Sequence, residues 1–333
     1  MEVRQKQWKA WLYLAPALIL MIIFTFYPLI NTVLVAFTKD YNFAWSVEDG
    51  GGNFLTRIFQ VGDWGSFSLK NFKILLVRDE VLNPDMDFVN IYLKNTLLIA
   101  VISVPASLIL SLLIAVALNS IPKFQKLLQT IFFLPYVTNT IAIGMVFAVM
   151  FDTNSGLVNT LIEMFGGDPV EWLGSLGPDG GKASYFNCMF VVLVYIIWDA
   201  LPFKILILLS GLQSIDKQYY QAAQIDGTSK FRTLTRITAP LLSPQIIYLM
   251  ITSFIGAFKE YNSIVAIIGP RATPYGYQSP IMGTVVWYLY QNIKGGKDGF
   301  GMGYAAAGSL LLFIIIMIIT AINSKISKKF VHY

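Results

Sequence analysis

The chain holds one cysteine, Cys188, and one histidine, His332, in 333 residues. That scarcity excludes a disulfide framework and any Cys/His metal cluster. It also leaves no Ser/His/Asp or Cys/His catalytic set beyond a histidine in the tail. Charge is sparse too: Asp, Glu, Lys and Arg make up 13% of the chain, about half the share of a soluble domain. A phosphate-cradling loop is missing as well, since it needs GxxxxGK followed by Ser or Thr. Of the two Gly-Lys pairs, Gly181-Lys182 has Leu176 and Gly296-Lys297 has Gln291 at the first-glycine position, and Ala183 and Asp298 follow the lysines. The chain therefore binds no ATP of its own by this motif. Paired carboxylates for glycoside hydrolysis have no evident soluble pocket, so an enzyme is not expected. Energy for any work must enter through a partner or an ion gradient.

What the chain does have is apolar length. Hydrophobic residues form 56% of it, and the mean hydropathy is +0.62. Charge-free runs from Lys9 to Lys39, Lys94 to Lys123, Lys126 to Asp152 and Asp298 to Lys325 each exceed the roughly 20 residues that cross a hydrocarbon core. Two further spans carry charges, one near 184–212 with Asp199 and Lys204, one near 241–268 with Lys259 and Glu260. The first apolar run is too long for a signal peptide and is read as a retained span. Residues 272–293 are uncharged, but Pro274, Gly276, Pro280 and Gly283 argue against a seventh span, and the aromatics there suit a membrane interface.

Topology supports six. With six spans the N-terminus, the 119–126 and 213–237 loops and the tail share one side, with twelve Lys/Arg against three acids; the other side holds nine against fourteen. Basic loops near span ends stay cytoplasmic, so both termini are expected inside. The predicted map is a cytoplasmic N-terminus at 1–9, spans at 10–37, 91–118, 127–151, 184–212, 239–268 and 303–324, and a cytoplasmic tail at 325–333. Extracytoplasmic segments fall at 38–90, 152–183 and 269–302, the first a small cap, and a cytoplasmic loop at 213–238. Pro16, Pro28, Pro105 and Pro135 read as packing kinks, and Pro202 as a distortion that frees carbonyls to line a cavity. Trp8 and Trp11 read as interfacial anchors, Cys188 as a small buried residue.

The loop YYQAAQIDGTSKFRTLTRITAPLLSP, residues 219–244, is patterned. Ser214 or Asp216 can cap a short helix. Gly227 then stands where a left-handed C′ residue costs least, and Thr228 or Ser229 can cap a second helix with Phe231, Leu234 and Ile237 on one face. Pro240 fits the first turn of the next span, and Pro244 is expected to kink it. Such a pair of helices can lie on anionic lipid. Small Ala222 and Ala223 beside Gly227 instead favour close approach of another protein.

QAAQIDG, then nine residues, Ile237 and Pro240 resembles the EAA loop of ABC-importer permeases: Glu-Ala-Ala, three residues, Gly, nine residues, Ile, one residue, Leu-Pro. Gln221 replaces the Glu and Ala239 the Leu. The runs APALILMIIFTFYPLI, SFSLKNF, KNTLLIAVISVPASLILSLLIAVALN, FFLPYVTNTIAIGMVFAVMF, WDALPFKILILLSGLQSI and GYAAAGSLLLFIII are similar to the sugar and oligosaccharide branch of that family, over about 8–325. The resemblance implies an all-α polytopic fold with six transmembrane helices, the type I importer permease fold. It implies a bacterial or archaeal inner membrane and an ATP-driven, binding-protein-dependent import of carbohydrate by alternating access. The implied partners are a second permease subunit, two ATPase subunits that bind Mg-ATP, an extracytoplasmic solute-binding protein, the carbohydrate and membrane lipid, with no nucleic acid. No cofactor or metal is implied in this chain. Gln221, Ala222, Ala223, Asp226, Gly227, Ile237 and Pro240 would couple to the ATPase. A substrate pocket carried over from the larger maltose-permease subunit falls on Asp199, Ala200, Phe203, Ser253, Gly256, Ala257, Glu260 and Asn262. Two carboxylates stand there, able to take paired hydroxyl hydrogen bonds. Intramembrane charges are costly, so Asp199, Lys204, Lys259 and Glu260 should face protein or a wet cavity; for the two lysines, pairing or snorkelling is the plainer reading. Rival readings are an importer of a non-sugar such as glycerol phosphate or polyamine, an ion-coupled secondary transporter, and a non-transport receptor or assembly factor.

Overall fold

The computed structural model describes residues 7–39, 41, 67–77, 87–121, 125–174, 182–295 and 301–330. Most of the expected 38–90 cap lies outside them. The described residues are helical, with one isolated antiparallel bridge between Thr38 and Phe67. Four helices are long and apolar enough to cross a membrane: α1 (Trp8–Phe37), and three introduced below over Phe88–Asn119, Tyr185–Ser214 and Gly301–Lys325. Two bent helix pairs bring the number to six if each counts as one span.

The chain divides into two compact units. One comprises Met1–Asp79 and Leu289–Leu311. In it the Tyr27 amide bonds the Ile22 carbonyl, an i→i−5 turn just ahead of Pro28, which has no N–H to give the ladder. Trp8 and Trp11 are exposed. The short α2 (Lys70–Leu76) returns to the end of α1, where the buried Asn71 amide donates to the carbonyls of Ala36 (2.9 Å) and Thr38 (3.0 Å).

The second unit, Glu80–Tyr288 with Leu312–Tyr333, is built on α3 (Phe88–Asn119). Asp87 caps α3 by accepting from the Asn90 amide at 2.8 Å. A polar line on α3 is buried, from Asn95 and Thr96 to Ser103, Ser107 and Ser111. Its first part fixes the segment that resembled a seventh span. Asn95 Nδ2 donates to the carbonyls of Ile281 and Gly283, both at 2.8 Å, and Thr96 Oγ1 accepts from the Val285 amide at 3.0 Å. Residues 269–284 are thus irregular backbone, several of its groups paired with the protein. α12 (Val285–Gly295) follows. Trp287 and Tyr288 were expected at a lipid interface; instead they are buried against Tyr92, ring centroids 5.7 and 5.0 Å away.

The third expected span, 127–151, is two helices. α4 (Leu127–Val137) and α5 (Thr140–Met150) meet at 99°. Pro135 tightens the end of α4, and Asn139 starts α5 by accepting from the amides of Ile141 and Ala142. A packing kink at Pro135 is therefore a break. After the eight-residue α6 (Leu157–Met164) comes α7 (Tyr185–Ser214), which runs unbroken through Pro202. α8 (Lys217–Ile225) and α9 (Lys230–Leu241) form the loop pair. α9 meets α10 (Ser243–Phe258) at 73°. The fifth apolar helix starts at Ser243 rather than 239, because Pro244, not Pro240, occupies its first turn. It also ends early, and α11 (Asn262–Ile267) follows a gap at Lys259–Tyr261. α13 (Gly301–Phe330) closes the chain. Ala115, Leu118, Ile205, Leu208, Leu209, Leu212, Leu242 and Leu249 join α3, α7 and α10 in a shared core.

Candidate functional site

Two places carry the residues singled out above, and α7 links them. At its C-terminal end the chain turns into α8. Asp216 Oδ1 accepts from the Gln218 amide at 2.9 Å, satisfying one orphan donor. α8 ends as its glycine requires: Gly227 has φ +66°, and the Thr228 amide reaches back to the Ala223 carbonyl at 2.9 Å. Ser229 Oγ then accepts from the Arg232 amide at 3.4 Å to start α9. The Tyr220 and Thr238 hydroxyls, 3.3 Å apart, tie α8 to α9.

The surface of this helix pair differs from the expectation of two exposed alanines. Ala222 is exposed with Gln221, Asp226 and Gly227, but Ala223 is buried. Ile237 and Pro240 are half-buried. Sequence reasoning passed over Ile225, whose side chain is 87% exposed beside the glycine turn. Its signal was an apolar residue next to Asp226-Gly227 in a polar helix. Phe231 is likewise exposed, and the face it shares with Leu234 and Ile237 is covered only at those two.

The second place lies midway along α7. Asp199, Ala200 and Phe203 are half-buried there. Tyr195, one turn before Asp199, is fully buried; its hydroxyl donates to the Thr140 carbonyl, and Phe147 packs on it and on Trp198 at about the same distance (5.1 and 5.0 Å). Asp199 and Glu260 are near enough to act on each other electrostatically and on Tyr195. The fold thus brings these two carboxylates together from distant parts of the chain. Phe203 stacks on Tyr136 at 5.8 Å and 17°. Of the remaining pocket residues, Ser253 is half-buried, Gly256 and Asn262 are exposed, and Ala257 is buried. Ala257 therefore offers a ligand little surface.

Glu260 has a second task. Its Oε1 accepts from the Ser263 amide at 2.9 Å, in the first turn of α11. Its carbonyl accepts from Thr284 Oγ1 at 2.6 Å. Lys204 faces the other way, 4% exposed, donating to Ser107 Oγ on α3. Lys259 is exposed at the gap after α10. Among the described residues no group of three or more His, Cys, Asp and Glu could hold a metal ion.

Comparison with known proteins agrees with this architecture. The family model described as "Binding-protein-dependent transport system inner membrane component" matches residues 107–332. The arabinooligosaccharides transport system permease protein AraP of Bacillus subtilis is 28% identical, over 96% of this chain and 88% of its own length. The trehalose/maltose transport system permease protein MalF of Thermococcus litoralis is 29% identical, over 77% of this chain and 85% of its own. A chain of a bacterial alginate ABC transporter, crystallised with an alginate-pentasaccharide-bound periplasmic protein, superposes with a TM-score of 0.69 at 20% identity, covering 98% of this chain and 96% of that one.

Proposed function

Because the chain belongs to the inner-membrane components of binding-protein-dependent transport systems, the permease subunits of ABC importers, we propose that it carries a carbohydrate inward in alternating-access cycles powered by partner ATPases. Relatives named for arabinooligosaccharides and for trehalose/maltose support the substrate class. The observation that carries the mechanism is the glycine-turned pair α8–α9. It projects Ile225 and Ala222 from the end of the same helix that holds Asp199 midway. Seated in a groove on an ATPase, this pair would pass closure of the ATPases into α7 and so into the pocket. ATP, with its Mg²⁺, belongs to those partners. A second permease subunit supplies the other half of the path, and both termini lie with the loop on the cytoplasmic side.

Asp199 and Glu260 would accept sugar hydroxyls, with Trp198 and Phe203 offering ring faces to the sugar's apolar side. Ser253, Gly256 and Asn262 would line the remainder.

The test is co-purification. Ile225→Asp and Gly227→Pro should each strip the ATPase from the complex and abolish uptake. Intact assembly and uptake in both variants would overturn the coupling role. Uptake by the purified chain alone in an ion gradient would point to a secondary transporter instead.

A further inference from the structure

The pocket proposed above holds charge of one sign. Asp199 and Glu260 are close enough to act on each other electrostatically, and among the described residues no lysine or arginine pairs with either. The two nearest lysines in sequence do not supply the missing cation: Lys204 donates to Ser107 Oγ on α3, and Lys259 is exposed at the gap after α10. Neighbouring hydroxyls are committed as well. The Tyr195 hydroxyl donates to the Thr140 carbonyl, and Thr284 Oγ1 donates to the Glu260 carbonyl rather than to its carboxylate. Glu260 Oε1 takes the Ser263 amide. Among the described residues its Oε2 and both oxygens of Asp199 are left for whatever enters.

The surroundings suit a cation too. Tyr195, Asp199 and Phe203 recur every fourth residue and so lie within about 80° of one face of α7. Tyr195 is buried, whereas Phe203 is half-buried and Tyr136, stacked on it, is 52% exposed. Trp198 is half-buried beside Asp199. Aromatic faces attract a cation held within about 6 Å of the ring centre. There is room for a ligand: Gly256, one turn before Glu260, is exposed, and a Cβ added to it would meet no atom within 4 Å.

Charge balance decides what that ligand is. Two carboxylates at membrane depth repel each other more strongly than in water. Neutral hydroxyls can bond them but leave the repulsion in place, and an acidic solute would add to it. An ammonium offers three N–H donors and cancels charge, in bonds roughly twice as strong as neutral ones. We propose that the solute is an amino sugar, or an oligosaccharide containing one, whose free ammonium is held by Asp199 and Glu260 while the sugar ring lies on Phe203 and Trp198. This rests on the importer reading above and narrows its substrate class.

The experiment measures equilibrium binding to the permease assembled with its partner permease and ATPases in lipid nanodiscs. The binding protein is left out, so that its own selectivity does not enter. The probes are radiolabelled glucosamine, glucose and N-acetylglucosamine with their short chitosan, cellulose and chitin oligomers, one scaffold differing only at the second carbon. Slightly below neutral pH, the glucosamine series should bind at least about tenfold tighter than the glucose series, and the acetylated series no better than glucose. Asp199→Asn should erase most of that preference and Glu260→Gln less of it; co-purifying ATPases report that each variant is assembled. Added sodium chloride should weaken the glucosamine series alone.

Equal binding of the three series overturns the proposal, and so does binding by none of them. Glucose oligomers that bind more tightly as sodium rises overturn it in favour of a metal ion between the carboxylates. Putrescine, an amine without a ring, binding tighter than every glucosamine probe overturns it in favour of a linear amine. ATP-dependent uptake by proteoliposomes holding the complete importer tests the parent reading separately. Neutral sugars taken up with ATP, and aminated ones not, would leave the importer standing while this proposal falls; a complex that takes up no sugar with ATP fails both.

Discussion

Lys204 and Asp199 sit five residues apart on one helix, both at membrane depth, and the fold treats them in opposite ways. At 100° per residue they point about 140° apart. Lys204 turns into the contact with α3, where its ammonium donates to Ser107 Oγ and the Ser107 hydroxyl donates in turn to the Ser103 carbonyl at 2.6 Å. No carboxylate pairs with it among the described residues. Asp199 turns toward α11 and the gap after α10; among the described residues its carboxylate makes no hydrogen bond, and its electrostatic neighbours are Glu260 and Tyr195. One charge is spent on holding two helices. The other is left over. An intramembrane ionisable group is a functional candidate by default, and this pair shows that its partner, not its depth, decides.

The largest expected effect breaks the closed half of that comparison. Ser107→Ala leaves the buried ammonium without its acceptor and should destabilise the unit by about 2 kcal/mol. Lys204→Met should be neutral or mildly stabilising, because a well-packed apolar chain avoids the desolvation that a buried charge carries. The double variant should return to the parent's thermal midpoint in detergent. A midpoint lowered as much by Lys204→Met as by Ser107→Ala would mean that the ammonium holds something more than Ser107. The open half comes next. Asp199→Asn removes a charge-assisted acceptor from the pocket and should raise the half-saturating solute concentration about tenfold, with the midpoint unmoved. A shifted midpoint would show that Asp199 is structural after all.

What the residues disclose on their own follows the same division. Local chemistry is legible: Gly227 reads as a left-handed terminus, and Asp216 and Ser229 are among the caps that spacing allows, because each acts within a few residues of itself. Long apolar runs read directly as helices. The breaks are harder. Pro135 and Asn139 are visible as letters, but only packing decides whether a proline bends a span or splits it; Pro105 and Pro202 sit inside unbroken helices. Which alanine of Ala222-Ala223 is covered depends on tertiary packing around α8, which the motif does not encode. The direction taken by Lys204 depends on Ser107, 97 positions away. Ile225 escapes a motif search because it is an ordinary apolar residue made notable by exposure alone.

Glu260 lies between the two extremes. Because its Oε1 takes the Ser263 amide, Glu260→Ala should cost about 1 kcal/mol as a lost cap, whereas Glu260→Gln keeps an acceptor and should leave the midpoint close to the parent's. Its effect on uptake should be smaller than that of Asp199→Asn, since one of its oxygens is already engaged. Equal losses of uptake would make both carboxylates ligand groups of the same standing.

The smallest effect concerns a carboxylate whose Oδ1 is engaged in a local turn. Asp152, outside the spans, has its pKa held below the usual 3.8, chiefly by the Ser155 amide it accepts. A depressed pKa means the folded turn binds that proton less readily than the unfolded chain does. Its contribution is therefore whole above pH 3.8 and fades as pH falls through the lower folded value. The side chain is largely in water, which screens the interaction, so the change should be slight. Corrected for intrinsic rates, hydrogen exchange at the amides of Asn154 and Ser155 should quicken by less than tenfold below that range. Asp152→Asn should abolish the pH dependence while keeping the turn, because its amide oxygen accepts the same two bonds. If acid loosened α6 as a whole, the segment would depend on this one charge; Asn159 on α6, whose uncharged amide bonds Thr153, Val170 and Trp172, predicts that it stays folded.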